Sequence, residues 1–472
     1  MLVVVSFEHL SKFLFLCQRS DPASVPAYRG SYPQSRPGYP DQHSSCCNLQ
    51  LIADSSNEKW RPFNGLDNGV FDTLSHHIKY VYKPVQCYQS YHFSMDSQLT
   101  HKFLIVGGGG YIGFHVGLRL LQLRHEVILF DMNYPSKKWD PNIKVSSMSQ
   151  NINGETSEVI SCTHGTMKFV KGDVRDINLL LQITQHVTCV IHTASYGMSG
   201  REQMPPYFDK VEQVNINGTR NVIEACAINE CKGLVYTSTY NVVFGGDAIL
   251  NGDESLPYFP LHRHVDHYSR TKSIAEQLVL TSNGRGDLQT CALRLAGVIG
   301  RGESRHLPRV LDAIRKGWVR FNYFDEHGGK VDFIGLDNVV QGHVKAALKL
   351  TDPDRKNPGI GGQAFFLSDG RPVNNLEYFK PLIEHYDQPF PTTKLPMWFM
   401  YFLVFLVHFI YTAVYQFIDF TPFLTPAELF KTGVTHYFSV DKARKQLDYQ
   451  PERPNDLSEI IRDLSDQPRQ FS

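Results

Sequence analysis

The chain has 472 residues, and its 47 lysines and arginines balance 47 aspartates and glutamates, so the formal net charge is zero. That length predicts about two or three domains, and a neutral chain does not carry the basic excess that nucleic-acid binding usually requires. A hydrophobic content of 42% is ordinary for a soluble protein and excludes one that crosses a membrane many times.

The nine cysteines are an odd number and include no CxxC pair. A secreted disulfide framework is therefore excluded, and a reducing, cytosol-facing location is favoured. The cluster Cys46-Cys47 has no histidine or cysteine partners at the spacing that metal ligands need, so no metal site is predicted.

Residues 1–100 show neither a helical nor a strand period. Residues 20–48 are rich in Ser, Pro, Tyr and Gly, a composition typical of disorder. The apolar start, residues 1–17, is interrupted by Glu8 and Lys12 and lacks a basic leading region, so a signal peptide is not expected. We therefore predict a disordered N-terminal extension.

Regular structure is predicted from Lys102 onward. Short apolar runs alternate there with helical stretches, which indicates an α/β fold of the Rossmann type, a doubly wound parallel sheet with helices on both faces. The predicted strands are residues 102–107, 126–131, 167–173, 188–194, 233–239 and 290–297. The predicted helices are residues 112–123, 211–228 and 269–280.

The pattern divides the remainder of the chain into distinct parts. Residues 101–300 are expected to form the nucleotide-binding domain, in which the polar stretch 139–166 is a loop insertion. After Gly300 the regularity loosens, which predicts a small substrate-binding part over residues 301–394. Residues 419–472 are expected to return to the catalytic fold.

Residues 395–418 contain no Asp, Glu, Lys or Arg over 24 positions. A membrane-spanning helix needs about 20 such residues. Because the many aromatic residues suit the headgroup region, a membrane-associated helix that lies partly in the interface or re-enters the membrane is favoured. A single span and a buried core helix remain alternatives.

Gly107, Gly110 and Gly113 lie between the first predicted strand and the first predicted helix. In a dinucleotide site the first glycine permits the tight turn, the second lets the backbone approach the pyrophosphate, and the third lets helix and strand pack closely. The free N–H groups of the helix start then face the phosphates. A glycine-rich turn that binds no ligand is the alternative.

Asp131 ends the second predicted strand, 18 residues after Gly113. Its carboxylate can accept hydrogen bonds from an adenosine ribose and would repel the 2′-phosphate of NADP. NAD is therefore the favoured cofactor, although Lys137 and Lys138 weaken the preference against NADP.

Two YxxxK patterns are present, Tyr268–Lys272 and Tyr134–Lys138, so the pattern alone decides nothing. Tyr268 follows the strand that ends in residues 237–239, near the expected nicotinamide half of the site. Tyr134 lies in a proline-containing turn on the adenosine side. Tyr268 and Lys272 are therefore predicted to be catalytic, one helical turn apart on one face.

The pair has a simple electrostatic interpretation. A positive charge about 4 Å away contributes roughly 4 kcal/mol at an effective dielectric of about 20. That is enough to bring the pKa of a tyrosine from about 10 toward neutrality, so we expect Tyr268 to act as a general base. A hydroxyl from Ser238 or Thr239, with Thr239 favoured, would hold the substrate oxygen, unless both are ordinary strand-end hydroxyls.

This constellation resembles the extended short-chain dehydrogenase/reductases, their 3β-hydroxysteroid dehydrogenase branch and, most closely within it, the 42E family. The segments that carry the resemblance include IVGGGGYIGFHVG, KGDVRD, VIHTASYGMSGREQ, VNINGTRNV, LVYTSTYNVVFGG, DHYSRTKSIAEQ and DKARKQLDYQP. Departures from the family pattern flank the expected nicotinamide and substrate pockets, at Val106, Leu295, Ile299, Arg301 and Gly335.

The resemblance implies a role for each matching position. The residues that the resemblance implies for cofactor binding are Gly107, Gly110, Gly113, Asp131, Asp173, Val174, Ala194 and Lys272. Ser195 follows beside the cofactor, and Asn215 resembles a helix asparagine that is often structural in the family. The catalytic set is Tyr268, Lys272 and Thr239, with Ser238 as the other candidate hydroxyl.

The expected function is an NAD-dependent dehydrogenase of a lipophilic, steroid-like alcohol. We expect it at the endoplasmic reticulum membrane, in contact with lipid, with the catalytic domain facing the cytosol; a homodimer is left open. A sugar-nucleotide epimerase or dehydratase is an alternative. Dehydratases of this superfamily have an acidic pair after the catalytic threonine, whereas this chain has Tyr240-Asn241 there, which argues against that alternative. A non-catalytic NAD-binding membrane scaffold is the other alternative.

Overall fold

The computed structural model describes most of the chain after the predicted N-terminal extension, which lies outside the described residues except for Thr100. The described residues are 100–147, 158–198, 200–352, 359–415, 422–452 and 456–465.

Most strands are short, and the longest have seven residues. In chain order they are β1 (Lys102–Val106), β2 (Glu126–Asp131), β3 (Lys144–Ser147), β4 (Glu158–Cys162), β5 (Gly165–Lys171), β6 (Cys189–His192), β7 (Gly233–Thr239), β8 (Ile249–Gly252), β9 (Gln289–Leu295), β10 (Gly297–Ile299), β11 (Lys330–Val331), β12 (Phe333–Gly335), β13 (Gln363–Leu367), β14 (Val373–Asn374) and β15 (His436–Phe438).

The helices range from a single turn to 18 residues. They are α1 (Tyr111–Gln122), α2 (Ile177–Ile183), α3 (Phe208–Glu212), α4 (Gly218–Ile228), α5 (His267–Thr281), α6 (Leu307–Arg315), α7 (Leu336–Thr351), α8 (Asn375–Tyr378), α9 (Lys380–His385), α10 (Met397–Val414), α11 (Pro426–Gly433), α12 (Asp441–Leu447) and α13 (Ser458–Ser465).

The main sheet has nine strands in the order β13-β9-β7-β6-β1-β2-β5-β4-β3. The seven strands from β13 to β5 run parallel, and the doubly wound parallel sheet predicted from the sequence is confirmed. The chain proceeds outward from β1 through β2 and β5, then returns to β6 on the other side of β1. Ligands of such sheets bind where this reversal opens a crevice beyond the carboxyl ends of the strands.

Helices cover both faces of this sheet, which explains why its strands are continuous apolar runs. On one face α1 and α7 bury residues such as Phe114, Leu120 and Val344 against the sheet. On the other face α2, α4 and α5 bury residues such as Leu180 and Val222.

The interpretation of residues 139–166 as a loop insertion was wrong for part of that stretch. Residues 144–147 and 158–162 are the strands β3 and β4, which extend the sheet in antiparallel fashion beyond β5. The strands were missed because this end of the sheet buries few apolar side chains. Ile160 is the fully buried residue of β4, and its neighbours are half exposed.

The smaller part of the molecule is formed mostly by residues that follow β9, together with β8, which precedes it. It contains the four-stranded sheet β14-β11-β15-β8 and a separate apolar cluster formed by α6, α9 and α13. Residues that follow the long apolar helix return to the nucleotide-binding part. Leu447 and Tyr449 are buried in its core, and the Tyr449 hydroxyl donates to the carbonyl of Ser368 at 2.9 Å.

Helix α10 occupies most of the apolar segment predicted over 395–418; residues 416–418 lie outside the described part. Among the described residues it is the one helix long and apolar enough to cross a membrane, and 17% of its length is buried. Met400 and Val404 pack against Leu429 of α11, while the opposite face is exposed. So little burial argues against a core helix.

The contribution of the edge strands can be measured. Replacing Ile160 with Ala removes a fully buried side chain, and we expect the free energy of unfolding to fall by about 2–4 kcal/mol. The matched control is Val145→Ala on β3, whose side chain is 42% exposed and should change stability little. Chemical denaturation of both variants is the measurement, and equal small effects would contradict the assignment of Ile160 to the core.

Candidate active site

The first and third predicted glycines of the loop are required by close packing. Gly107 has a φ of +92°, and a Cβ there would lie 2.5 Å from the amide nitrogen of Ala194. A Cβ on Gly113 would lie 2.2 Å from the carbonyl oxygen of Gly107. No side chain fits at either position, so the loop is held tightly between β1, β6 and α1.

Gly110 differs from these positions. A Cβ there would meet one atom within 4 Å, the Gly107 carbonyl oxygen at 3.2 Å. Gly110 is the N-cap of α1, and no side chain caps that helix. The helix start therefore has free N–H groups beside an open backbone, which is the arrangement that a pyrophosphate needs.

Asp131 connects the end of β2 to the glycine loop. Its carboxylate accepts hydrogen bonds from the amide of Gly109 at 3.2 Å and the amide of Asn133 at 2.9 Å. Burial raises the pKa of Asp131, and these two amides oppose that rise. The carboxylate is half-buried at the edge of the crevice, where an adenosine ribose is expected.

The predicted adenine-contacting pair lies after β5. The guanidinium of Arg175 forms an ion pair with the Asp173 carboxylate at 2.5 Å and holds the pKa of that carboxyl below its usual range. Val174 is buried, and a Cβ on Gly218 would lie 2.6 Å from it. Ala194, after β6, donates its amide to the Val106 carbonyl at 3.0 Å.

Lys272 is almost completely buried, with 2% of its surface exposed. Its ammonium donates to the carbonyl of Thr237 at 2.6 Å and lies 4.0 Å from the centre of the Tyr236 ring. Burial lowers the pKa of Lys272 to about 7, while the negative charge of Glu276 acts in the opposite direction. The lysine thus lies against the end of β7, where the nicotinamide half of the site is expected.

Tyr268 lies one helical turn before Lys272 on α5 and is 6% exposed. The predicted lowering of its pKa is wrong for this structure. Burial raises the pKa of Tyr268 well above its ordinary value, and the nearby Asp266 carboxylate adds to the rise, whereas a hydrogen bond with Ser195 opposes it. The sequence argument counted the lysine charge and omitted the loss of water around the phenol, which is the larger effect.

The two candidate hydroxyls face different neighbours. Ser238 donates a short hydrogen bond to the carboxylate of Glu276, so its hydroxyl is directed into the buried interior. The Thr239 oxygen accepts the amide of Asn241 at 3.3 Å where β7 ends. The structure therefore favours Thr239 as the hydroxyl near the crevice.

A buried ionic network under these residues was missed in the sequence. Glu276 is fully buried, and its carboxylate accepts hydrogen bonds from the Arg294 guanidinium at 2.7 and 2.9 Å and from the Tyr258 hydroxyl at 2.8 Å. The available signals were a glutamate one turn after Lys272 and a single arginine inside the apolar strand β9. The network joins α5, β7 and β9.

Asn215 connects the loop after β6 to α5. It lies in a π-helical turn, Gln213–Asn217, between α3 and α4, a distortion that is frequent at functional sites. Its side chain accepts the amide of Tyr196 at 2.9 Å and donates to the Tyr196 carbonyl and the Thr271 hydroxyl, both at 2.9 Å. The predicted helix over 211–228 is thus three helical pieces.

The second YxxxK pattern lies apart from this cluster. Tyr134 is 39% exposed, and its hydroxyl donates to Glu158 of β4 at 2.6 Å. Its ring contacts Phe169 on β5, at the adenosine side of the sheet.

Comparison with known proteins is consistent with this geometry. The family model of the 3-beta hydroxysteroid dehydrogenase/isomerase family matches residues 104–397. Short-chain dehydrogenase/reductase family 42E member 1 of Homo sapiens is 46% identical over 382 residues, which cover 78% of this chain and 88% of that protein. The sterol-4-alpha-carboxylate 3-dehydrogenase, decarboxylating, of Mus musculus is 29% identical, with 76% of this chain and 89% of that protein covered.

Solved structures support the fold. The dTDP-glucose 4,6-dehydratase DesIV of Streptomyces venezuelae, in its double mutant with NAD bound, has a TM-score of 0.55 at 17% identity and covers 77% of this chain and 97% of that one. The epimerase Mth375 of Methanothermobacter thermautotrophicus has a TM-score of 0.54 at 19% identity, covering 77% and 95%.

The family model spans residues 104–397, and the 42E relative of Homo sapiens covers 78% of the chain. The chain belongs to the 3-beta hydroxysteroid dehydrogenase/isomerase family, within the short-chain dehydrogenase/reductases, and is an oxidoreductase that acts on CH–OH donors with a nicotinamide cofactor.

Proposed function

We propose that the protein is a membrane-associated, NAD-dependent dehydrogenase that oxidises a hydroxyl group of a lipophilic, steroid-like alcohol. The observation that supports this proposal is the contact of the Lys272 ammonium with the Thr237 carbonyl of β7, the strand that Thr239 ends, with Tyr268 one helical turn before Lys272 on α5. When bound, NAD supplies the acceptor for the hydride of the carbinol carbon.

Tyr268 is the proposed proton acceptor. The hydroxyl proton of the substrate passes to its phenolic oxygen, while the Thr239 hydroxyl holds the substrate oxygen. Because burial raises the pKa of Tyr268, the phenol keeps its proton at neutral pH unless a nearby positive charge stabilises the phenolate. Lys272 is the proposed source of that charge, and its bond to the Thr237 carbonyl fixes its position.

The preference for NAD over NADP is supported by Asp131. Its carboxylate lies at the end of β2 and is held by two backbone amides, so it cannot easily turn away from a 2′-phosphate. A carboxylate and a 2′-phosphate that lie close together repel each other.

The lipophilic substrate and the membrane location are supported by α10. The helix packs on α11, and α11 contacts the catalytic helix through Lys431, whose ammonium lies 3.4 Å from the Asp266 carboxylate. A substrate dissolved in lipid would thus reach the active site from an adjacent surface. The sterol dehydrogenase relative is consistent with such a substrate.

The arrangement of α10 favours an interfacial helix over a single span. The amide of Leu395, just before α10, donates to the carbonyl of Asn322, and α11 lies on the same catalytic unit after it. Both ends of the helix are therefore attached to one body. We propose the cytosolic face of the endoplasmic reticulum, a reducing compartment that suits the free thiols of Cys162, Cys189, Cys226, Cys231 and Cys291.

The catalytic assignment is tested with two matched tyrosine variants. We expect Tyr268→Phe to reduce NADH formation from a steroid alcohol by at least about a hundredfold, because general base catalysis contributes 10²–10⁴ in rate. The control Tyr134→Phe removes the hydroxyl of the other YxxxK pattern and should retain full activity. Comparable activity in both variants would refute the assignment.

The pH dependence of the oxidation rate tests the ionisations of Tyr268 and Lys272 together. Below about pH 7 the oxidation rate should rise about tenfold per pH unit, because Tyr268 has a raised pKa and its phenolate fraction grows at that rate. Above about pH 7 the profile should flatten, because Lys272, with a pKa of about 7, loses its charge as the phenolate increases. In Lys272→Arg the cation persists, so the bend should disappear; a bend at the same pH in that variant would exclude Lys272 as its source.

Cofactor preference is tested at Asp131. Replacing it with Ser removes the negative charge and should lower the NAD-to-NADP ratio of kcat/KM by at least about tenfold, which corresponds to about 1.4 kcal/mol. The control Asp287→Asn changes an exposed carboxylate that pairs with Lys232 and should leave the ratio unchanged. An unchanged ratio in the Asp131 variant would contradict its role at the ribose.

A further inference from the structure

We propose that residues 315–321, the basic–aromatic loop, form a second membrane-contact site that binds the anionic phosphate headgroups of lipids beside α10. This inference rests on the membrane association proposed above and names its lipid class. The loop begins at Arg315, the last residue of α6, and also contains Lys316, Trp318, Arg320 and Phe321.

The basic–aromatic loop lies beside an apolar face of α10 that is exposed along the whole helix. Trp398 is 60% exposed and Phe409 62%, and Leu403, Leu406 and Ile410 are exposed between or next to them. With Phe402, which is also exposed, the series 398, 402, 406 and 409 recurs every three or four residues, so these side chains form one stripe. Met400 and Val404, on the other side, are buried against α11.

The loop is joined directly to the start of this helix. Asn322 donates its amide to the Thr393 carbonyl at 2.9 Å, and Leu395 donates its amide to the Asn322 carbonyl at 2.8 Å. The Trp318 ring packs edge-on against Phe423, which precedes α11, with 5.2 Å between the ring centres. The loop therefore lies next to the part of the molecule that carries α10.

The side chains of the loop are those that favour a lipid interface. Trp318 is 53% exposed and Phe321 50%, which leaves large rings in contact with water. Tryptophan is enriched at the level of the lipid headgroups because its ring is apolar and its N–H can donate. Two such rings beside an apolar helix extend the same surface.

The charges of the loop select the lipid. The Arg315 and Lys316 side chains are 63% and 48% exposed, and Lys316 lies 4.8 Å from the centre of the Trp318 ring. Both pair with Asp312, at 3.1 and 2.7 Å, but surface ion pairs of this kind contribute little. Lipid phosphates can therefore compete for these cations, and basic residues near aromatic anchors attract anionic lipid.

A second copy of the chain is a poorer occupant of the surface. In a symmetric dimer whose two-fold axis passes through the loop, the basic side chains of the two copies would approach each other. Like charges in such a contact repel.

The test compares vesicles of two compositions. The full-length protein is floated with phosphatidylcholine vesicles and with vesicles that also contain phosphatidylserine. The test variant carries Arg315→Gln, Lys316→Gln and Arg320→Gln; the control variant carries three exposed basic residues of the nucleotide-binding part replaced in the same way, Arg220, Lys232 and Arg285.

We expect wild-type protein to bind both vesicles, more tightly when phosphatidylserine is present. At about fivefold per basic residue, the test variant should lose more than tenfold in affinity for the phosphatidylserine vesicles and retain its binding to phosphatidylcholine. The control variant should bind both vesicles like the wild type. Trp318→Ala with Phe321→Ala should weaken binding to both vesicles.

Several outcomes would overturn the proposal. The proposal is wrong if phosphatidylserine still strengthens binding of the test variant as much as it does for the wild type, or if the control variant loses as much affinity. It is also wrong if the Trp318 and Phe321 variant changes its oligomeric state. Absence of wild-type binding to phosphatidylcholine would instead refute the docking of α10, and the response to phosphatidylserine would still report on the loop. NAD binding by every variant verifies that its fold is intact.

Discussion

The buried ammonium group of Lys272 is the constraint around which the active site is organised. A lysine that is 2% exposed loses most of its hydration, and the structure compensates with the Thr237 carbonyl and the face of the Tyr236 ring. Glu276, one turn further along α5, supplies the negative charge that keeps the lysine partly protonated. Without the charge of Glu276, burial would lower the pKa of Lys272 further.

The same glutamate fixes the substrate side of the site. Its carboxylate is shared among Arg294 on β9, Ser238 on β7 and Tyr258, so helix α5 cannot slide relative to the two strands. Ser238 and Arg294 are also paired directly across the parallel strands. The positions of Tyr268 and Thr239 relative to each other therefore depend on one fully buried ionic network rather than on the residues of the crevice alone.

Much of this arrangement could be predicted from local sequence. The strand β7 was predicted at its observed bounds, and all seven of its residues are buried. The position of Tyr268 after that strand distinguished it from Tyr134. The network of Glu276 could not be predicted, because its partners come from two strands and a loop and meet only in the folded chain. The predicted direction of the Tyr268 pKa shift was wrong for the same reason, since burial depends on everything packed around the phenol.

Helix α11 links the apolar surface to the catalytic crevice. On one side Leu429 packs against Met400 and Val404 of α10. On the other side Lys431 contacts Asp266, which caps the N-terminus of the catalytic helix, and the Thr425 hydroxyl donates to the side chain of Gln203.

These contacts have a mechanical consequence. A force that displaces α10 relative to the catalytic unit must also act on α11, because the two helices share a buried interface. The cap of α5 and the loop that contains Gln203 would then shift together, since both are bonded to the same short helix. The position of Tyr268, in the first turn of α5, is thereby coupled through α11 to the exposed apolar helix α10.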